Sequence, residues 1–354
     1  MTLEDLGYNE SLEEYRAGES LNSFEVGRVI SEHKDRYTIK TSESEIDSEL
    51  IGSLRFASES RYDLPAVGDW VAFTEYDEGK GLIHAIYPRT SIIERQAVGK
   101  SGQVQIIATN IDYGLIVQAV DRDFNLNRLE RYLTICNASK VEPLIVLSKI
   151  DLIDTSTLES IIEKVNERIQ NATVITVSNQ TKGYEEIKAF IHNGKTYALL
   201  GSSGVGKSTL LNNISGEEQM KTGEISSSVN KGKHVTSHRE LIVLNSGGII
   251  IDNPGMREVG IADTSSGLET TFEFILEYAD DCRYKDCSHT HEQGCAILEA
   301  VENGEIDSNA YSNYRKMLKE KSHFESNALD RKKKDKELGK LIKSVKKIRK
   351  NNKY

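Results

Sequence analysis

The 354-residue chain has no apolar run approaching the roughly 20 residues needed to span a bilayer, so a helical membrane protein is not expected. Met1 to Ser20 is acidic and lacks an apolar centre. It does not have the pattern of a secretory signal, and a cytoplasmic location is the expectation. Cysteine is scarce: there are four, and three of them fall within fourteen residues. In a chain without a secretion signal such clustering argues against a disulfide framework and for metal binding. No internal repeat is visible, which sets solenoid architectures aside.

What is present is the composition of a globular protein, 38% hydrophobic and 28% charged, with length for two or three domains. The net charge of −10 is unevenly spread. From Arg331 to Tyr354 twelve Lys/Arg face only Asp335 and Glu337, a balance of +10, which leaves −20 on the first 330 residues. An acidic body with a basic tail implies that the tail meets a polyanion. In that tail Leu338, Leu341, Ile342, Val345 and Ile348 line one face of a basic amphipathic helix. RNA, an anionic membrane surface and the protein's own body would each suit it.

Along the chain the patterning changes twice. Phe24 to Ile30, Arg36 to Thr41, Leu50 to Phe56, Asp69 to Thr74 and Gly81 to Ile86 read as short strands, the spacing of a small all-β barrel. An oligonucleotide-binding (OB) barrel and an SH3-like barrel fit equally. From about 103 to 270 strands alternate with helices. Val104 to Ala108, Gly114 to Ala119, Pro143 to Leu147, Val174 to Val177 and Thr196 to Leu200 are the strands. Leu126, Leu129, Leu133 and Cys136 form one helical stripe, and Leu158, Ile161, Ile162, Val165 and Ile169 another. This alternation predicts a parallel sheet covered on both faces. The expected fold is therefore multidomain: a β-barrel over 1–102, an α/β domain over 103–270, a mainly helical metal-binding domain over 271–330 and a basic helical tail over 331–354.

The chemistry concentrates after Thr196 to Leu200. That apolar strand runs into Gly201-Ser202-Ser203-Gly204-Val205-Gly206-Lys207-Ser208-Thr209, the pattern G-x-x-x-x-G-K-[ST] at a helix start. Glycines let the backbone curl so that its N–H groups converge on phosphate oxygens, and the helix N-terminus adds partial positive charge. Lys207 would reach the β- and γ-phosphates, and the Ser208 hydroxyl suits Mg²⁺. Ile249-Ile250-Ile251-Asp252-Asn253-Pro254-Gly255 is a second apolar strand, ending in an Asp placed to hold Mg²⁺ and a Gly placed to meet the γ-phosphate. Upstream, Ser148-Lys149-Ile150-Asp151 follows a strand end. Guanine readers take the form N-K-x-D, in which the Asp accepts from the base and the Lys covers the ring; Ser148 replaces the Asn and cannot offer an amide donor and acceptor together. Ser178, at the next strand end, falls in a second base-contacting loop. The reader thus precedes the phosphate loop by about fifty residues, the order of a circularly permuted chain.

Cys282, Cys287, His289 and Cys295 give C-x₄-C-x-H-x₅-C, a complete tetrahedral zinc set with no open position, which makes a structural site. His291 competes with His289 for the fourth place.

The permuted order, the barrel in front and the metal cluster behind resemble the circularly permuted, ribosome small-subunit-dependent GTPases, the RsgA/YjeQ family. The resemblance is carried by Leu64-Pro65-Ala66-Val67-Gly68-Asp69-Trp70-Val71, Gly201 to Ser208, Gly232 to Glu240, Asp252 to Gly255 and the cysteines, and it spans about residues 22 to 320. Ser148, Asn179, Val235, Ser237 and Asn253 depart from the family pattern. The resemblance implies a switch loop from Lys221 to Glu240, with Thr236 meeting Mg²⁺ and the γ-phosphate, and favours His289 as the fourth zinc ligand. It implies a monomer that binds GTP and GDP with Mg²⁺ and one structural Zn²⁺. Its partner would be the 30S subunit and its 16S rRNA, with no membrane. Met256 stands where many GTPases carry a water-orienting Gln, and a thioether cannot do that work; His238 is a candidate to take it over once a partner completes the site. A passive or vestigial GTP-binding site on an RNA-binding module is the alternative. A membrane-associated GTPase using the tail would leave the barrel and the zinc cluster without a role.

Overall fold

The computed structural model describes residues 1–33, 35–96, 103–121, 124–169, 172–178, 183–216, 240–252 and 265–326. Thr236, His238, Gly255, Met256, nearly all of the expected switch segment and the basic tail lie outside the described residues.

A short 3₁₀ turn at Glu4–Leu6 and α1 (Glu10–Gly18) precede β1 (Glu25–His33), β2 (Arg36–Lys40), β3 (Glu45–Leu50), α2 (Gly52–Ala57), β4 (Trp70–Asp77) and β5 (Lys80–Ile86). The strands close in the order β1-β2-β3-β5-β4 and back to β1. All neighbours are antiparallel except β3 and β5, which run parallel. This closure, with a helix between β3 and β4, is the OB arrangement, and it separates the two barrels that the strand pattern alone could not. Val29, Tyr37, Ile39, Ile46, Val71, Phe73 and Ile83 fill the interior.

One expected strand is wrong. Leu50 to Phe56 is mostly α2, and the third strand is Glu45–Leu50. In that strand Glu45, Asp47 and Glu49 face water while only Ile46 and Ser48 turn inward, so its hydrophobic signal is nearly absent. The apolar residues that suggested a strand divide between two surroundings. Leu54 packs against the barrel core, and Phe56 is 91% exposed.

Beyond the barrel, β6 (Ile92–Gln96) and β7 (Val104–Thr109) pair with each other as an antiparallel ribbon, so Val104–Ala108 is a strand but not one of the parallel set. The alternating region follows as β8 (Tyr113–Ala119), α3 (Leu126–Ala138), β9 (Glu142–Ser148), α4 (Thr155–Arg168), β10 (Thr173–Val177), α5 (Tyr184–Phe190), β11 (Thr196–Leu200), α6 (Lys207–Ser215), β12 (Glu240–Val243) and β13 (Ile249–Asp252). The strand order is β10-β9-β8-β11-β13-β12; all are parallel except β12, which also touches β1 of the barrel at Ser31 and Glu240. Helices cover both faces, with α3 and α4 over one core and α5 and α6 over the other. Both longer helices start at a side-chain cap, Asn125 to the Arg128 N–H for α3 and Asp154 to the Thr157 N–H for α4.

The C-terminal region comprises α7 (Ser265–Thr271), α8 (Glu273–Leu276), α9 (Ala296–Glu302) and α10 (residues 308–326). Leu268, Phe272, Ile275, Cys295, Ile297 and Met317 form its core. It meets the sheet region through α3. A Cβ on Gly267 would lie 2.2 Å from the Thr134 carbonyl oxygen, so only glycine allows α7 to approach α3 this closely.

Candidate nucleotide site and metal centre

The parallel strands deliver the expected residues to one edge of the sheet. Ser148 ends β9, Ser178 follows β10, Gly201 follows β11 and Asp252 ends β13. The carboxyl edge is where open α/β sheets bind ligands. The sheet thus assembles residues separated by about a hundred positions, and β11, in the middle, carries the phosphate loop.

That loop has the backbone its glycines suggest. Gly201 has φ +146°, and a Cβ there would lie 2.4 Å from the Val117 carbonyl oxygen. Gly206 has φ +98° and caps α6. Lys207 folds back along the loop, donating to the carbonyls of Gly201 at 2.8 Å and Ser202 at 2.7 Å. Burial pushes the Lys207 ammonium down to about 8, with the nearby Asp252 charge opposing the shift. A buried cation held by carbonyl oxygens suits exchange of those oxygens for phosphate.

The residues expected to read the base are ordered by hydrogen bonds. The Ser178 hydroxyl donates to Asp151 Oδ1 at 2.9 Å, which orients the carboxylate. Lys149 adopts a left-handed backbone, φ +61°, and its ammonium donates to Asp121 Oδ2 at 3.1 Å. A non-glycine residue in this region is a local strain of the kind found at binding sites. Ser148 is buried, and its hydroxyl donates to the carbonyl of Val205 at 2.5 Å. The serine that replaces the expected Asn therefore ties the loop after β9 to the phosphate loop.

Two neighbours were not anticipated from the sequence. Asp121 follows β8 and holds Lys149. Arg128, in the first turn of α3, donates to the Ser202 hydroxyl at 3.3 Å. Neither sits in a recognisable motif. The available signal was indirect: both flank the start of a helix that begins at the carboxyl edge of the sheet.

The metal-ligating atoms of Cys282, Cys287, His289 and Cys295 lie within 4.8 Å of one another. Cys282 Sγ and Cys295 Sγ each stand 3.5 Å from His289 Nδ1 and 3.9 Å apart. Zinc–sulfur bonds of about 2.3 Å and zinc–nitrogen bonds of about 2.0 Å give tetrahedron edges of roughly 3.5–3.8 Å, so the donor set fits a zinc ion. Burial lowers the His289 imidazole below its ordinary value, favouring the neutral ring that a metal needs. His289 is placed by its own carbonyl, which accepts from Tyr311 Oη and Arg315 Nη1. His291 Nδ1 instead contacts the Thr290 hydroxyl, and of the two histidines it is His289 whose ring stands among the three cysteine sulfurs. The Glu292 carboxylate accepts from the Ser288 hydroxyl and from the Thr290 and His291 N–H groups, and these bonds hold it well below the ordinary range.

A phosphate loop on the middle strand, with the expected base-recognition loop earlier in the chain, defines a circularly permuted phosphate-loop GTPase. Comparison with known proteins agrees. A family model described as RsgA GTPase matches residues 86–262. The chain is 37% identical to the "Small ribosomal subunit biogenesis GTPase RsgA" of Opitutus terrae, covering 91% of this chain and 90% of that one. It is 40% identical to RsgA 1 of Listeria innocua, again over 91% and 90%. Among solved structures it resembles YjeQ from Thermotoga maritima (28% identity, TM-score 0.62, 83% of this chain and 97% of that one). It also resembles YloQ, titled a circularly permuted GTPase (25% identity, TM-score 0.59, 87% and 96%). An ABC transporter model matches 184–347, a stretch that shares the strand, phosphate loop and helix common to phosphate-loop folds. The chain belongs to the RsgA GTPase family and is a GTP-hydrolysing enzyme.

Proposed function

We propose that this protein binds the small (30S) ribosomal subunit late in its maturation and hydrolyses GTP to GDP and phosphate, with the subunit stimulating turnover. The observation that carries the reading is the convergence of Asp151 with Ser178, Ser148 and the phosphate loop on one sheet edge. The relatives' names, which specify small-subunit biogenesis, supply the partner.

In this reading Asp151 accepts from the guanine ring, Lys149 covers it, and Ser178 orients the carboxylate. The main chain and side chains of Gly201, Ser202, Ser203, Gly204, Val205, Gly206, Ser208 and Thr209 wrap the phosphates, and Lys207 neutralises them. Ser208, Asp252 and Thr236 would hold Mg²⁺, which disperses charge developing on the phosphate oxygens. Gly255 meets the γ-phosphate, and His238 is the candidate to orient water, since Met256 cannot. Cys282, Cys287, His289 and Cys295 hold one structural Zn²⁺. The work divides among the barrel (1–102), the nucleotide domain (103–270), the zinc module (271–330) and the tail (331–354) of a monomeric cytoplasmic protein.

The barrel contributes shape more than charge to any RNA contact. Arg36, Lys40, Arg55, Arg61, Lys80 and Arg89 are each paired with an acidic residue, and Arg28 is buried. Phosphates of 16S rRNA are better matched by the exposed Arg283 and Lys285 of the zinc loop and by the basic tail.

Calorimetry with guanosine and adenosine nucleotides tests the site, with guanosine preferred. Co-sedimentation with separated 30S and 50S subunits, in GDP and in a non-hydrolysable GTP analogue, tests the partner. Rapid hydrolysis by the isolated protein, unchanged by subunits, would end the partner-completed mechanism. Ser148 and Met256 keep a passive clamp in view, and phosphate release in single turnover with 30S subunits excludes it.

A further inference from the structure

We propose that α3 is the element through which the zinc-type module acts on the nucleotide site, with Arg128 the positioning residue at the phosphate loop. The inference deepens the GTPase reading and rests on it.

The two ends of α3 are held by different parts of the molecule. At its start, the chain entering the helix supplies Asp121 to Lys149 of the base-reading loop, and Arg128 donates to Ser202 of the phosphate loop. One turn further on, the contacts turn to the C-terminal module. Arg131 makes a two-pronged ion pair with Glu320 of α10, at 2.6 and 2.9 Å. Buried Glu130 accepts from Asn313 of α10 at 2.5 Å and from Arg168, at the end of α4, at 2.6 and 2.9 Å. Arg168 in turn donates to Asp307, just before α10. Asn137 donates to Thr271, and Gly267 lies against the Thr134 carbonyl.

A helix is stiff over thirteen residues, so a small shift at Glu130, Arg131 and Asn137 moves Arg128 with it. Nothing else among the described contacts joins the module to the phosphate loop so directly. A partner that engages the module therefore has a short physical route to Ser202, and the route is one helix with interactions on both sides.

The test is a double-substitution cycle read by GTP turnover and nucleotide affinity in the full chain with 30S subunits. Arg128→Ala lowers kcat about fivefold or more with KM changed less than twofold, and Arg128→Lys restores part of it. Glu320→Ala, which lies outside the nucleotide site, lowers kcat by a smaller factor. The double variant is no slower than Arg128→Ala alone, because both changes cut the same link. Effects that multiply independently, as expected for uncoupled sites, would overturn the proposal, as would an Arg128→Ala variant that turns over like the wild type. Wild-type protein that binds no guanine nucleotide would instead remove the GTPase reading itself. Wild-type binding with independent effects removes only the role of α3.

Discussion

Ser148 shows how one substitution can keep half of a residue's work. An Asn at this place can serve the base and the neighbouring loop together; the serine hydroxyl, committed to the Val205 carbonyl, serves only the loop. Ser148→Ala would leave that buried carbonyl without its donor. The loss is about 1 kcal/mol, roughly fivefold in affinity, and it should weaken GTP and GDP alike because the tether touches neither the γ-phosphate nor the base. Calorimetry on both nucleotides checks it; a loss confined to one nucleotide would point elsewhere. Lys207 makes a second prediction. Its ammonium titrates near 8 in the free protein, and polyphosphate raises that value by adding negative charge. Binding below pH 8 finds the lysine already charged and is flat with pH. Above 8 the site must take up a proton to bind, so affinity falls as pH rises. Nucleotide affinity measured from pH 7 to 8.8 should decline several-fold over the upper part of that range. Lys207→Arg, which stays charged, should bind more weakly but without the slope.

At the scale of elements, the metal cluster is the case where local sequence should determine local stability. The cysteine-bearing segment between α8 and α9 has little regular structure beyond one 3₁₀ turn, and four side chains able to hold a metal meet within it. Such a site contributes folding energy directly. Native mass spectrometry of the protein should show a single zinc, and Cys287→Ser should abolish it and lower the melting temperature of the C-terminal region, while guanine-nucleotide binding survives in weakened form. Retention of zinc by that variant would move the site elsewhere. The contrast with the barrel shows what sequence conveys. The phosphate loop, the C-x₄-C-x-H-x₅-C set and the apolar strands of the parallel sheet are contiguous patterns, and all were legible. Glu45–Leu50 was not, because a strand with one apolar and one small inward residue carries almost no periodic signal. Arg128, Asp121 and the bond from Ser148 to Val205 were invisible for another reason. They are meetings of residues 28 to 74 positions apart, and only the finished sheet brings them together.

At the scale of the molecule, the parts are bound by buried polar contacts as well as by apolar cores. Arg28 is fully buried, with its guanidinium over the Trp70 ring, and donates to the carbonyls of Leu6, Gly68 and Asn110. It thereby joins the N-terminal segment, the barrel and the turn that enters β8. Asp69, also buried, holds Arg89 and Thr109 across the same junction. Barrel and nucleotide domain should therefore present themselves to a partner as one acidic body: residues 1–270 carry 27 Lys/Arg and 40 Asp/Glu, a balance of −13, and the first 330 carry −20 against +10 on the last 24. A polyanion such as ribosomal RNA repels the body and attracts the tail, so the tail should supply most of the salt-sensitive binding. Each phosphate contact contributes a slope of about −0.7 to −0.9 in log affinity against log salt. Deleting residues 331–354 should flatten the salt dependence of 30S binding by several units and weaken binding at least about tenfold at 100 mM salt. GTP affinity in the absence of subunits should be unchanged, because the deletion spares every residue assigned to the nucleotide. Co-sedimentation across a potassium chloride series measures the slope. A truncated protein with the full-length slope would mean that exposed cations elsewhere, Arg283 and Lys285 first among them, carry the RNA contact instead.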